Sequence, residues 1–401
     1  MILRLILRIK LPYIYKKDML DCQRNLFSIP DSIHYLNCAY MSPQLKAVED
    51  VGHSSLKRKN APWEMQIMDF FEPVEKLKAL FATLVQAKDA NRIAIIPSAS
   101  YGLSTVARNL PLKAGQEIIV VEGQFPSNVY PWKREADAKG ALLKIVSAPI
   151  GDNRGENWNA RILESINENT AAVALGNIHW ADGTKFDLLE IRKKTNQYGA
   201  WLVIDGTQSV GALPINVEEL KPEALVCGGY KWLLGPYSLG MAYFSPVLDH
   251  GIPLEENWIN RYGSEDFSTL VNYQENYQTG ASRYSVGEHS NFQLVPMLTK
   301  ALEQLIAWNP AEIQNYCIRL IAPYLDELQS MGIFIENEKW RASHLFGLHL
   351  PDYMLNKPIQ SILQQNYVFI SRRGNAFRIS PHLYNSPADM EALVFCFQQI
   401  Q

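Results

Sequence analysis

The stretch WLVIDGTQSVGALPINVEELKPEALVCGGYKWLLGP covers residues 201–236 and contains two apolar runs, each followed by a polar loop. Asp205 ends the first run, and Lys231 stands in the loop after the second. Short, nearly continuous apolar runs are typical of strands buried on both faces of a parallel sheet. Because open parallel sheets bind ligands at the carboxyl ends of their strands, the pattern predicts that Asp205 and Lys231 share a ligand site.

Similar apolar runs recur on both sides of this stretch. They alternate with amphipathic segments such as LLEIRKKTNQYG (188–199), which has a basic face and ends on glycine, a common helix stop signal. This alternation predicts an α/β fold, with a mainly parallel seven-stranded sheet and helices on both faces. The predicted strands are RIAIIP (92–97), EIIVVE (117–122), LLKIVS (142–147), AAVALG (171–176), WLVID (201–205), ALVCG (224–228) and GMAYF (240–244).

The two ends of the chain differ from this middle part. Residues 68–88 predict one long helix that enters the large domain, and two helical patterns follow Pro296, at 297–308 and 311–330. Short strands and a last helix then predict a smaller α+β domain, with strands at YVFIS (367–371) and FRIS (377–380) and the helix from 387. The predicted organisation is an N-terminal segment that packs with the small domain (1–39), a large domain (40–290) and the small C-terminal domain (291–401).

Composition narrows the class of protein. The 401 residues are 47% hydrophobic and 20% charged, with a formal net charge of -3, so no charge imbalance indicates a nucleic-acid partner. The five cysteines form no C-x-x-C pair, which indicates a reducing, cytoplasmic location.

The first ten residues, MILRLILRIK, are apolar but interrupted by Arg4, Arg8 and Lys10. No stretch approaches the roughly 20 apolar residues of a membrane span, so no membrane association is expected. The segment is interpreted as an edge strand, or as an extension upstream of a true start at Met19.

Nucleotide and metal signatures are missing from the sequence. There is no G-x-G-x-x-G, no glycine followed by lysine as in a P-loop, and no H-x-x-x-H pair, so no metal site is predicted.

The chemistry of the 201–236 stretch favours a different cofactor. A carboxylate at the end of an apolar strand needs a cationic partner, and a protonated pyridine nitrogen is one. Lys231 stands among Tyr230, Trp232 and Leu233, where desolvation lowers a lysine pKa and produces the neutral amine that Schiff-base chemistry requires. The simpler reading makes Asp205 a helix cap and Lys231 an exposed loop lysine; the two motifs together favour the cofactor.

From YLNCAYMSP (35–43) to FRISPHLYN (377–385), the chain resembles the class V aminotransferase family of pyridoxal phosphate enzymes. This family includes cysteine desulfurases, kynureninases and isopenicillin N epimerase-like proteins, and CGGYKWLLGP (227–236) and RYSVGEHSNF (283–292) are most similar to the epimerase-like branch. The resemblance implies the aspartate-aminotransferase-like fold (fold type I), pyridoxal 5'-phosphate as cofactor and a homodimer.

The resemblance also implies roles for individual residues. Lys231 would hold the cofactor as a Schiff base and then serve as general base, Asp205 would pair with the ring nitrogen, and Gln208 would bind the phenolic oxygen. Arg378 would bind the substrate carboxylate, for which its planar fork is suited.

Further residues are expected around the cofactor. Ser98, Ala99 and Ser100, in PSASYGL (97–103), would hold the phosphate at a helix start, although serines there are also common N-caps. Phe125 would stack on the ring where desulfurases have histidine, and Tyr230 replaces a histidine that touches the phosphate.

Three groups of residues received weaker assignments. Asn177, His179 and Trp180 follow a strand but are left out of the predicted catalytic set. Arg283 is a candidate second anion-binding residue. Gly287, in the 287–289 loop, is expected to reach the phosphate of the neighbouring subunit.

These assignments predict an enzyme that acts on a small-molecule amino acid, as an aminotransferase or an epimerase. A pyridoxal phosphate-dependent β-lyase is one alternative, and a catalytically silent, cofactor-binding regulatory protein is another. Cysteine desulfurase activity is not expected, because VFISRRGNAFR (368–378) lacks the mobile-loop cysteine of desulfurases.

Overall fold

The structure is a computed structural model that describes residues 19–151 and 153–400. The prediction for the first ten residues lies outside this part. The strands are β1 (His34–Tyr35), β2 (Ile93–Ile96), β3 (Glu117–Val121), β4 (Leu142–Val146), β5 (Thr170–Gly176), β6 (Trp201–Asp205), β7 (Ala224–Gly228), β8 (Gly240–Phe244), β9 (Phe346–His349), β10 (Val368–Phe369), β11 (Ser371–Arg373) and β12 (Ala376–Ile379). The α-helices are α1 (Lys46–Arg58), α2 (Glu72–Leu84), α3 (Ala99–Asn109), α4 (Tyr130–Lys139), α5 (Arg154–Ser165), α6 (Leu188–Tyr198), α7 (Val217–Leu220), α8 (Leu294–Trp308), α9 (Pro310–Ser330), α10 (Asp352–Leu355), α11 (Ile359–Gln365) and α12 (Pro387–Gln398).

A large sheet built from the seven predicted strands forms the centre of the molecule. Its order within the described residues is β2-β8-β7-β6-β5-β3-β4. Only β8 runs against its neighbours there, and the other adjacent pairs are parallel. The predicted α/β class with a mainly parallel sheet is confirmed.

Both faces of this sheet are buried, as the continuous apolar runs predict. In β2, Ile93 and Ile95 belong to one hydrophobic core, whereas Ala94 and Ile96 belong to the core on the opposite face. Strand side chains alternate between faces, so a strand covered on both sides must be apolar throughout.

The prediction of one helix over 68–88 is wrong at its start. A 3-10 turn covers Ile67–Phe70, and the α-helix begins only at Glu72. Pro73 lies in the first turn of α2, and a proline disfavours helical geometry in the residues before it. The α-helix therefore begins only at Glu72, next to this proline, and it ends at Leu84, four residues before the predicted end.

The C-terminal part contains an antiparallel sheet of order β11-β12-β9. The predicted single strand over 367–371 is divided, because β10 pairs with β1 whereas β11 pairs with β12. The N-terminal segment thus contributes β1 to this region. The helix α8 packs on α1 and α2, next to the large sheet.

Within the described residues, no helix is both long enough and apolar enough to cross a bilayer.

Candidate active site

Five strand ends face one cavity of about 280 Å³ at the carboxyl edge of the large sheet. The strand β2 is antiparallel to β8, which is antiparallel to β7, so β2 points the same way as the parallel strands. The loops that follow β2, β3, β5, β6 and β7 therefore meet at this edge. In that order they bring Ser98, Phe125, Trp180, Asp205 and Lys231 to the cavity wall.

Lys231 is buried in this wall, with 6% of its surface exposed. Burial and, to a smaller extent, the Arg378 guanidinium lower the pKa of its amine to about 8, while the Asp205 carboxylate opposes this shift. Its Nζ lies 5.6 Å from the ring centre of Phe125 and 5.3 Å from that of Tyr230. A substantial fraction of this amine is neutral near physiological pH, as a nucleophilic lysine requires.

The loop that carries Lys231 is closed by backbone hydrogen bonds. The Gly229 amide donates to the Leu239 carbonyl at 2.8 Å, and the Gly235 amide donates to the Gly229 carbonyl at 2.8 Å. A Cβ atom at position 229 would lie 2.5 Å from the Leu239 oxygen, so the close approach of the two segments requires glycine there.

Asp205 lies at the end of β6, and its Oδ1 accepts a hydrogen bond from the Thr207 amide at 3.0 Å. It is thus a cap, as the simpler interpretation proposed, and it also lines the cavity. Burial raises the pKa of its carboxyl group, whereas Thr207 and Lys231 oppose the rise. A cation in the cavity would stabilise the ionised carboxylate further.

The carboxamide of Gln208 is held from two sides. Its Oε1 accepts from the Trp232 indole N–H at 3.0 Å, and its Nε2 donates to the Ala39 carbonyl at 3.2 Å. The His344 Nε2 donates to the Gln208 backbone carbonyl at 2.8 Å. The side-chain nitrogen retains a second N–H, and Gln208 lines the cavity.

The start of α3 forms the next part of the wall. Ser98 is its N-cap, with Oγ accepting from the Tyr101 amide at 3.2 Å and lying 2.8 Å from the Ser100 Oγ. Ser98, Ala99 and Ser100 all line the cavity. The first N–H groups of a helix lack intrahelical acceptors, and its dipole is positive there, so this end can bind a phosphate as well as being capped.

Of the three candidates after β5, Asn177, His179 and Trp180, Trp180 is the one that lines the cofactor cavity. Its ring meets Phe125 edge-on, at 5.3 Å between centroids. Asn177 lines a different cavity, and His179 is held by Asp182, with Nδ1 3.1 Å from Oδ1. Neither Asn177 nor His179 lines the cofactor cavity, whereas Trp180, which the sequence analysis also left out, does.

Four other polar residues of the cavity wall also went unnamed in the sequence analysis. Tyr237 and Ser238 follow the Lys231 motif directly, so extending that motif by two residues finds them. Thr207 stands between Asp205 and Gln208, and the fourth residue is Ser127.

Arg378 lies on β12 with 1% of its surface exposed. Its Nη1 donates to the Trp180 carbonyl at 2.7 Å, and its Nε has no hydrogen-bond partner among the described residues. No acidic side chain in that part of the chain forms a salt bridge with it. Burial lowers its pKa to about 9, and Arg373 contributes to that shift. A buried guanidinium without a counter-ion is suited to an anionic ligand.

Three predicted residues do not line the cavity. Arg378 is connected to it through its hydrogen bond to the cavity residue Trp180, whereas Gly287 and Arg283 lie elsewhere in this chain. The Gly287 amide donates to Glu255, away from the cavity wall, so its expected contact with the neighbouring subunit's phosphate stays a prediction. Arg283 stacks on the Tyr277 ring at 5.0 Å and donates to the Gly251 carbonyl, so it is not brought to the cavity.

The remaining residues fit pyridoxal phosphate group by group. The Lys231 amine suits the aldehyde, the Asp205 carboxylate suits the ring nitrogen, and the α3 N-terminus suits the phosphate. These features, on a mainly parallel sheet, define a fold type I pyridoxal phosphate-dependent enzyme.

The family model described as "Aminotransferase class-V" matches residues 53–393. The match covers most of the chain, so the protein belongs to the class V aminotransferase family. With this membership, the alternative of a catalytically silent cofactor-binding protein is set aside.

Individual relatives agree with this assignment. An uncharacterized aminotransferase of Bacillus subtilis is 23% identical over 88% of this chain and 89% of its own length. A cysteine desulfurase of Shigella sonnei is 25% identical over 70% of this chain and 67% of its own. Among solved structures, a mutant of C-DES with glycine covalently linked to its pyridoxal phosphate cofactor superposes with a TM-score of 0.82 at 16% identity, covering 94% of this chain and 99% of the other. This last likeness shows the fold.

Proposed function

We propose that the protein transfers the amino group of an α-amino acid, with Lys231 as the base that moves the α-proton. One observation carries this proposal: a buried guanidinium without an acidic partner, Arg378, lies close enough to the buried Lys231 amine to lower its pKa. The two groups match the carboxylate and the α-proton of an amino acid.

Each role follows from the surroundings of the residue. Arg378 binds the α-carboxylate and orients the substrate, since its Nη1 is anchored on Trp180 and its Nε is available. When bound, pyridoxal phosphate supplies an electron sink for the carbon that loses its proton. Lys231 would take that proton at Nζ, because its neutral form is accessible at a pKa of about 8, and for amino-group transfer it would give the proton to the cofactor instead of returning it to the α-carbon.

The ring-binding residues support this role. Asp205 would hold a proton on the ring nitrogen by charge pairing, Gln208 would donate its remaining N–H to the phenolic oxygen, and Phe125 would contact the ring. Ser98, Ala99 and Ser100 would bind the phosphate at the start of α3.

Epimerisation is the second candidate, and Tyr230 favours it. Inversion at the α-carbon needs a second proton donor, on the face opposite the base, and the Tyr230 hydroxyl is a second proton-bearing group that lines the cavity, with its ring centre 5.3 Å from Lys231 Nζ. Burial raises the pKa of its hydroxyl, which therefore stays protonated and able to donate.

The proposal includes a cytoplasmic homodimer. The five unpaired cysteines favour a reducing compartment. Gly287 lies in a loop outside this chain's own cavity, and we propose that this loop reaches the phosphate of the neighbouring subunit.

The test is a product analysis of the purified holoprotein with single amino acids in D₂O, with Lys231→Ala as control. Transamination predicts formation of the 2-oxo acid together with conversion of the cofactor to its amine form. Deuterium exchange with inversion and no oxo acid identifies the epimerase, and release of a side-chain group identifies the β-lyase. Absence of α-proton exchange with every amino acid would overturn the proposal.

A further inference from the structure

A second cavity, of about 1030 Å³, adjoins the cofactor cavity, and Trp180 lines both. The second cavity is also lined by Arg154 and Arg373. A substrate held at Arg378 beside Trp180 can therefore extend its side chain toward this space.

Arg373 and Arg378 lie on the same face of one β-hairpin. Arg373 pairs with Ala376, and Ser371 pairs with Arg378, so the alternate residues 371 and 373 share a face with 376 and 378. The guanidinium carbon of Arg373 lies 5.6 Å from the Trp180 ring centre, and Arg378 donates to the Trp180 carbonyl. Two cations therefore gather around one tryptophan.

Neither cation has an acidic partner among the described residues. The hydrogen bond of the Arg373 guanidinium goes to the Arg372 carbonyl at 2.8 Å. Arg154, in the same cavity, is different, because it forms a salt bridge with Asp182 at 2.9 Å. Two like charges in a partly buried site repel each other, and the repulsion is relieved when each receives an anion.

We propose that Arg373 binds an anionic group on the substrate side chain, so that the enzyme acts on amino acids with an acidic side chain. This inference rests on the proposed function, in which Arg378 takes the α-carboxylate. Arg373 then determines specificity, because a neutral side chain leaves its guanidinium unpaired beside Arg378. A planar guanidinium also recognises a carboxylate by two parallel hydrogen bonds, which a carboxamide cannot reproduce.

The matched variants are Arg373→Gln and Arg372→Gln. Arg372 is the adjacent arginine, but it lies on the opposite face of β11, over the Phe377 ring at 5.7 Å. The probes are pairs that differ in charge alone, aspartate with asparagine and glutamate with glutamine. Dissociation constants are measured on the holoprotein from the change in cofactor absorption, and independently by calorimetry.

The wild type and Arg372→Gln should bind the better acidic probe at least about tenfold more tightly than its amide, as one charge-assisted contact predicts. Arg373→Gln should lose that preference while binding the amide within about twofold of wild type. Arg373→Lys should recover part of the preference for the acidic probe, because lysine restores the positive charge but not the planar guanidinium.

The two proposals fail in different ways. If asparagine and glutamine bind the wild type as tightly as the acids, or if Arg373→Gln keeps the preference, the Arg373 role is wrong and the proposed function stands. If no probe changes the cofactor spectrum or produces heat, and no other amino acid does, the proposed function itself is wrong.

Discussion

Arg378 and Lys231 are far apart in the sequence, yet the charge of Arg378 lowers the pKa of the Lys231 amine. Both side chains are buried, and neither forms a salt bridge within the described residues. This unbalanced positive charge is the property from which the substrate carboxylate is inferred.

Arg378→Lys tests that inference directly. The substitution keeps the charge but loses the planar fork, so kcat/KM for the best amino acid should fall by at least about 100-fold, near 2.7 kcal/mol. Cofactor binding should persist, because the phosphate and Asp205 contacts lie elsewhere. Arg372→Lys, at an exposed side chain on the opposite face of the same hairpin, should change little. Normal turnover by Arg378→Lys, or a simple amine as the best substrate, would show that the carboxylate role is misassigned.

The lowered pKa of Lys231 predicts how cofactor attachment depends on pH. Only the neutral amine reacts, so the rate at which the apoprotein binds pyridoxal phosphate covalently should rise with pH up to about 8 and then level off. A model amine with the usual lysine pKa of 10.5 should continue to accelerate above pH 9. Stopped-flow absorbance measures both rates, and a protein rate that follows the model amine contradicts the lowered pKa.

At the scale of single residues, the sequence predicts site positions best for residues that lie at or near the end of a strand. Asp205 ends one apolar run, Lys231 stands in the short loop after the next, and Ser98 precedes a helix, so their positions follow from local pattern. Trp180 was left out because three residues separate it from the end of β5, and only the folded loop decides which of Asn177, His179 and Trp180 faces the cavity.

Among the elements, α3 contributes most directly to the site through its first turn. Ser98→Ala should lower the free energy of unfolding by about 1 kcal/mol, the usual contribution of an N-cap, and should also weaken cofactor affinity by about tenfold.

The control for Ser98 is Asp187→Ala, which removes the N-cap of α6. It should lower stability by a similar amount but leave cofactor affinity within about twofold, because Asp187 is not part of the cofactor cavity. Denaturant unfolding and cofactor titration separate the two effects. Equal losses of affinity in both variants would show that Ser98 acts through stability alone.

Element boundaries are less predictable than element types. The seven strands of the large sheet match the predicted runs closely, since continuous apolar character is what burial on both faces requires. The start of α2 was not predicted, because a helix start set by a proline is not visible in hydrophobic periodicity. The division between β10 and β11 was not predicted either, because periodicity does not show which strand each one pairs with.

For the whole molecule, the site forms where distant parts of the chain meet. Arg378 on β12 contacts Trp180 after β5, and His344 links the Gln208 carbonyl to Gln314 on α9. Sequence patterns predict each segment but not these contacts, because they depend on how the C-terminal part packs on the large sheet.

The positions of the cysteines predict that sulfur transfer is not the activity. Cys38, Cys227, Cys317 and Cys396 are buried, and only Cys22 is partly exposed. Burial raises the pKa of the Cys38 thiol to about 12, although the nearby Lys231 opposes the rise. The thiol therefore stays protonated and poorly nucleophilic.

Sulfide release from L-cysteine in the presence of a thiol reductant should therefore be slow, and unaffected by Cys38→Ser. A related cysteine desulfurase serves as the positive control. Rapid sulfide release that is abolished by substituting a single cysteine would contradict this prediction.

The central claim is that Lys231 holds the cofactor, and one measurement tests it most directly. The holoprotein is reduced with borohydride, digested, and the lysine that carries the cofactor is located by peptide mass spectrometry. The account predicts the modification on Lys231 alone, and a Lys231→Ala variant that is folded but colourless and unmodified. A cofactor on another lysine, or a yellow and reducible Lys231→Ala protein, would contradict it.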